Sequence, residues 1–77
     1  MAYRRAEVAV SDCDLAPIGV SYSNDASLHK PDDYCLLVTW NLNNTYGIQL
    51  GFSITANKVY LRRYNVNGGW ASWVTWL

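Results

Sequence analysis

Tyr60, Arg62 and Tyr64 stand at alternate positions in the chain, with Lys58 at the head of the series. In an extended segment such positions share one face, and a guanidinium held between aromatic planes gains about 0.5–2 kcal/mol. Trp70, Trp73 and Trp76 follow at a spacing of three near the C-terminus, and Trp40 lies upstream. Aromatic faces of this kind can stack on the C–H surface of a sugar ring, and an arginine fork can donate to hydroxyls or acidic groups of a glycan. The same residues have a structural reading. The rings then pack a core and a seam between subunits, and Arg62 stacks against Trp70 or Trp73. On one regular strand the spacing puts Trp70 and Trp76 on one face and Trp73 on the other. The candidate ligand-binding set is Tyr60, Arg62, Tyr64, Trp70, Trp73 and Trp40, with Arg63 a weaker candidate on the opposite face.

Other chemistry has thinner support. His29 is the single histidine, and none of Cys13, Cys35 or the aspartates stands at ligand spacing from it, so it reads as a solvated loop residue and no metal is expected. Asp12 with Asp14, and Asp32 with Asp33, could seed a calcium site or a glycosidase pair, yet neither pair carries a binding-loop motif; both read as solvated turn carboxylates. The two cysteines form no CxxC pair and are expected to be reduced and buried. Asn43-Asn44-Thr45 matches a glycosylation sequon, but a hairpin turn explains these residues fully and the match reads as coincidence. No GxSxG, Walker loop, HExxH or GxGxxG is present. No cofactor and no enzymatic activity are expected.

Composition sets the frame for these residues. A chain of 77 residues is one small domain, and it carries eleven aromatic residues: four Trp, six Tyr and one Phe. A domain this short buries only about 60–65% of the surface its unfolded chain exposes. The aromatic load therefore predicts that part of the apolar surface meets another subunit. Six Lys and Arg balance six Asp and Glu, which removes the long-range attraction that nucleic-acid binders use. No apolar run reaches the roughly 18 residues of a membrane span. The segment Tyr3-Arg4-Arg5 with Ala6 to Val10 is too short and too interrupted by Glu7 for a signal peptide.

The elements that would position the candidate residues are strands. Tyr46, Ile48, Leu50, Phe52 and Ile54 alternate with Gly47, Gln49, Gly51, Ser53 and Thr55, which predicts a half-buried strand with the apolar series inward. Residues 36–42 alternate likewise, and Asn43-Asn44-Thr45 joins the two runs as a hairpin. Ala56-Asn57 turns into residues 58–64, where Val59 and Leu61 share one face and Tyr60, Arg62 and Tyr64 the other. The run Asn65-Val66-Asn67-Gly68-Gly69 supplies a third turn into residues 70–77. Earlier in the chain, short strands are predicted at Glu7–Val10 and Ile18–Tyr22, and a loop at residues 23–27. No window carries a 3.6-residue apolar period, so little or no helix is expected. The predicted fold is all-β, a small antiparallel meander or sandwich.

Three segments carry a resemblance: Gly47-Ile48-Gln49-Leu50; then Lys58-Val59-Tyr60-Leu61-Arg62-Arg63-Tyr64-Asn65; then Gly69-Trp70-Ala71-Ser72-Trp73, running to Leu77. Residues 46–77 resemble the pyocin-knob and bacteriophage tail-fibre pattern: an apolar strand carrying Gln, a turn, a strand of the form aromatic-x-Arg-x-Tyr-Asn, a Gly-rich turn, and Trp-x-x-Trp near the chain end. The resemblance extends loosely to residues 31–40, where Asp32-Asp33-Tyr34-Cys35 replaces the Gly of the pattern. It implies that residues 1–77 are a single knob-like domain, the C-terminal part of a longer fibre protein. It further implies a homotrimeric, non-enzymatic module of the virion, located at the tail fibre or spike tip and extracellular at host attachment. There it would bind a bacterial cell-surface polysaccharide or protein receptor. No nucleic-acid partner and no membrane insertion are expected. The rival reading is a C-terminal trimerisation or folding cap without receptor contact. A third, a depolymerising hydrolase, would need two carboxylates flanking a cleft.

Overall fold

The computed structural model describes residues 9–41, 43 and 45–76. It is a small, compact, mostly antiparallel all-β domain built on one sheet. Five strands run in sequence order: β1 (Gly19–Ser23), β2 (Cys35–Asn41), β3 (Tyr46–Ser53), β4 (Val59–Asn65) and β5 (Gly69–Trp70); β6 (Val74–Thr75) also pairs with β4. Each of β1 to β4 pairs antiparallel with the next, so the meander expected over the C-terminal half is present and β1 extends it by one strand. The sole helical turn among the described residues is a 3-10 turn at Cys13–Leu15, capped by Asp12, whose Oδ1 accepts from the Asp14 amide. The strand predicted at Glu7–Val10 lies mostly outside the described residues. Ala9 makes a parallel bridge to Tyr22, and the Val10 amide donates to the Tyr22 carbonyl.

Turn chemistry explains where the strands stop. Asn43 Oδ1 accepts from the amides of Thr45 (2.7 Å) and Tyr46 (3.1 Å), closing the β2–β3 connection. Between β3 and β4 the Ser53 hydroxyl accepts from the Ala56 amide, and Asn57 takes the left-handed conformation with φ 54°. Asn65 Oδ1 caps the β4–β5 turn through the Asn67 amide, and Gly69 adopts φ 74°, which a side chain would oppose.

The alternation read from the sequence is present, but the burial is the reverse of the expectation. The register aligns Leu36 with Phe52, Val38 with Leu50 and Trp40 with Ile48 on one face, and Val59 and Leu61 continue that face on β4. Among the described residues no second layer covers this apolar face; Trp40 is 58% exposed, and Leu36, Ile48 and Phe52 are also exposed. The other face, with Ser21, Leu37, Thr39, Gln49, Gly51 and Arg62, is the one covered. The 3-10 turn, the loop between β1 and β2, and Trp73 lie over it. Period two fixes which residues share a face, not which face is inside. Here the inner face was chosen by its polar partners, because Cys13, Cys35 and Leu37 are the fully buried apolar residues of the described chain while Ser21, Ser23, Ser27, Thr39, Gln49 and Arg62 are all buried with them.

A second correction concerns the C-terminal tryptophans. The predicted strand over residues 70–77 is two short pieces. Between the pairs Tyr64 with Trp70 and Tyr60 with Thr75 the register slips by one residue, so the Ala71–Trp73 segment is a bulge opposite Arg62 and Arg63. The extra residue flips side-chain parity. Trp73 therefore joins Trp70 on the covered face, while Trp76 follows the parity of Val74 onto the apolar face, where it is 63% exposed.

Candidate functional site

Arg62 is the centre of the covered face. Its position on β4, opposite Gln49 on β3, projects the guanidinium under the N-terminal 3-10 turn, and the side chain is only 4% exposed. Its Cζ lies 4.4 Å from the ring centroid of Trp70 and 4.4 Å from that of Trp73, so the guanidinium is clasped by two indoles. Arg62 Nε donates to Gln49 Oε1 at 2.8 Å, and Nη1 stands 2.9 Å from Asp14 Oδ1 as an ion pair. Nη2 has no partner among the described residues. Burial pulls the Arg62 pKa down from its ordinary value, and the Asp14 carboxylate opposes that fall. The group remains a cation, because its reference value is far above neutrality.

Gln49 extends the network. Its Nε2 donates to the Cys13 carbonyl and to Thr39 Oγ1, both at 2.9 Å, which ties the 3-10 turn to β2 and β3. A buried amide of this kind is tolerated because its donors and acceptor are engaged. Trp70 Nε1 donates to the Asp14 carbonyl (3.3 Å), and Trp73 Nε1 donates to the His29 carbonyl (2.8 Å). Tyr64 meets Trp70 edge to face, with ring centroids 5.4 Å apart. Gly51 sits beneath this cover, where a Cβ would lie 2.8 Å from Pro31 Cγ and 3.7 Å from the Trp73 ring. A side chain there would push the loop and the indole off the sheet.

Sequence reasoning left His29 and the two N-terminal aspartates as separate solvated residues, and the structure joins them. His29 Nδ1 lies 2.9 Å from Asp12 Oδ1 and 3.3 Å from Asp14 Oδ2. The hydrogen bond raises the His29 pKa above the usual 6.5, and the same bond, helped by the Asp14 amide, lowers that of Asp12. One donor atom from each of the three residues falls within a 4.8 Å span, a spacing at which carboxylates and an imidazole can hold a divalent cation. Arg62, 2.9 Å from Asp14, places a fixed positive charge beside that point, which opposes a divalent cation there; it opposes the imidazolium too, but the Asp12 hydrogen bond and the Asp14 charge outweigh it at His29. Spacing in the chain gave no signal for the cluster. A parallel bridge between Asp12 and Leu28 brings the two loops together.

Asp14, His29, Lys30, Arg62, Trp70, Ala71, Ser72 and Trp73 line an open cleft of about 420 Å³. Of the six residues proposed from sequence as ligand contacts, Arg62, Trp70 and Trp73 line this cleft. Tyr64 borders its neighbour on the other side of Trp70, and Tyr60 lies on the same face of β4. Trp40 lies on the opposite face. The cleft presents an indole edge, a cationic and an anionic side chain, and a small hydroxyl, the mixed lining that suits a polar ligand with some apolar surface.

No protein-family model, no curated protein and no solved structure matches this chain.

The remaining polar groups are accounted for locally. Asp32 Oδ2 accepts from the Ser53 hydroxyl and Oδ1 from the Asp33 amide, so this pair serves a turn. Cys13 and Cys35 are both free and buried; burial pushes the Cys13 thiol up to about 11 and raises that of Cys35 as well, which keeps both as unreactive thiols. Among the described residues no helix is long and apolar enough to cross a membrane.

Proposed function

We propose that this domain is a non-enzymatic attachment module at the tip of a phage-type tail fibre or spike, binding a bacterial surface glycan or protein as a homotrimer. The observation that carries the reading is the cleft in which two indoles clasp Arg62 beside Asp14, His29, Lys30 and Ser72. Sugars are bound by such mixtures: an aromatic flank takes the C–H face of a pyranose, and charged side chains fork to its hydroxyls. The resemblance of residues 46–77 to tail-fibre knobs supports the same reading, and Arg62, Trp70 and Trp73 of that pattern line the cleft.

The test is binding of the full chain to a panel of bacterial surface polysaccharides and to whole cells. Ser72 is exposed at the cleft and outside the Arg62 network, so Ser72→Trp would fill the opening and leave the clasp intact. The expected result is binding by the native chain and at least a tenfold loss in Ser72→Trp, with unchanged thermal stability. Equal binding by both proteins would remove the cleft from the recognition surface.

A second reading is a trimerisation or folding cap without receptor contact. It is favoured by one specific observation, the size of the uncovered apolar sheet face. Assembly of the chain together with absence of binding across the whole panel would select it.

A further inference from the structure

Nearly every β-domain is two layers thick, because a sheet with an apolar face must bury that face against something. In this chain the layer made of the 3-10 turn, the β1–β2 loop and Trp73 covers the polar face. Nothing among the described residues covers the apolar face: Val38 against Leu50 and Trp40 against Ile48 at its centre, with Leu61 and Phe52 beside them. From Val20 on β1 to Val74 on β6 the face crosses the whole sheet, and of the strand residues that point to it Arg63 alone carries a formal charge. We infer that this face is the seam between copies of the chain, each copy supplying the missing layer for its neighbours.

The occupant follows from three observations. First, area: bulky side chains expose roughly 150–250 Å² each when free. Scaled by the fractional exposures, the face offers roughly 700 Å². Stable protein interfaces bury about 600–1,000 Å² per partner, so the face is large enough for one. Second, dependence: with Cys13, Cys35 and Leu37 as the fully buried apolar residues among those described, the core is meagre and needs the second layer whenever the chain is folded. The partner present at every synthesis of the chain is another copy. Third, charge: a face with one cation and no anion offers little to steer a distinct charged partner, whereas like apolar faces are complementary to one another.

The inference deepens the homotrimer part of the proposed function and rests on it for the number of copies. It also separates the two faces, with the Arg62 cleft turned outward and Trp40 sealed inside. The test uses the 77-residue chain at micromolar concentration, with mass from light scattering and side-chain exposure from hydroxyl-radical labelling. A multi-copy mass is expected, with Trp40 and Phe52 labelled at least fivefold less than their exposed fractions dictate, while Leu15, on the 3-10 turn, labels freely. Ile48→Glu, at the centre of the face, is expected to lower the mass to one copy or to prevent folding. The labelling needs no variant and decides the matter in either case. A multi-copy mass with Trp40 fully labelled overturns the assignment and leaves the homotrimer reading standing. A two-copy mass with Trp40 protected keeps the seam and removes the trimer. A folded single copy overturns the seam whatever its labelling, and protection in that state would point to residues 1–8. Glycan binding, measured separately, decides the attachment reading.

Discussion

Arg62 does three jobs that one residue seldom combines: it is the charge partner of Asp14, the donor to Gln49 and the filling between two indoles. Removing one partner of a buried ion pair is far costlier than the pair is worth, because the other groups keep their desolvation and lose their compensation. The Asp14 side chain is partly exposed, but its Oδ1 is sealed like Gln49 Oε1, and each would lose the Arg62 group it faces, the one partner it has among the described residues. Arg62→Ala is therefore expected to cost about 3 kcal/mol, at the low end of the range for broken buried pairs. Arg62→Lys keeps the charge but has neither the planar surface nor the fixed Nε–H, and about 1–2 kcal/mol should be lost. Urea unfolding of the two variants measures both. A Lys variant as stable as the native chain would mean that charge alone matters and that the indole clasp contributes nothing.

The strands were legible and their faces were not. Alternation located β2, β3 and β4 to within a residue or two, and the Asn and Gly clusters marked all three turns, because period and turn chemistry are local properties of the chain. Which face turns inward is decided by what covers it, and the cover comes from the 3-10 turn, the loop between β1 and β2 and Trp73, where the irregular sequence of the turn and loop gives no sign of the sheet face they pack on. The parity of Trp73 failed for a related reason: Ala71 and Ser72 look like strand residues, and nothing in their types marks the extra residue of the bulge. The same covering layer holds the Asp12–His29 pair, whose members are 17 positions apart. That pair clamps the 3-10 turn to the β1–β2 loop, and Trp73 closes over the loop through the His29 carbonyl. Its titration gives the clamp a pH window. The His29 pKa is raised on folding, so its contribution is complete below the usual 6.5 and declines as pH rises through the higher folded value. The Asp12 pKa is lowered, so its contribution is complete above the usual 3.8 and declines as pH falls through the lower folded value. Stability should be greatest between about pH 4 and 6.5, and the fall above that window should be absent in His29→Asn. Thermal unfolding across pH 3–9 measures it; an unchanged upper limb in the variant would show that His29 is not the titrating group.

At the scale of the whole molecule, the distribution of rings and charges is inside out for a lone chain: an arginine and a glutamine are sealed while Trp40 and Trp76 face outward. The mean behaviour of small domains makes this arrangement hard to sustain, since about 1.5 kcal/mol of ordering entropy per residue must be offset by apolar burial. If copies complete one another, unfolding is also dissociation, and stability acquires a concentration dependence that no folded monomer has. For three chains that separate as they unfold, each tenfold dilution removes about 0.9 kcal/mol per chain; for two chains it removes about 0.7. Unfolding entropy near 2.1 cal/mol/K per residue gives about 0.16 kcal/mol/K for a chain of 77 residues. The melting temperature should then fall by about 5–6 °C per decade of dilution for a trimer and about 4 °C for a dimer. Calorimetry over two decades of concentration separates these slopes from the flat line of a single copy. A flat line would also mean that Trp40, Ile48 and Phe52 stay in water throughout, leaving the stability of the domain to the Arg62 network and a three-residue core.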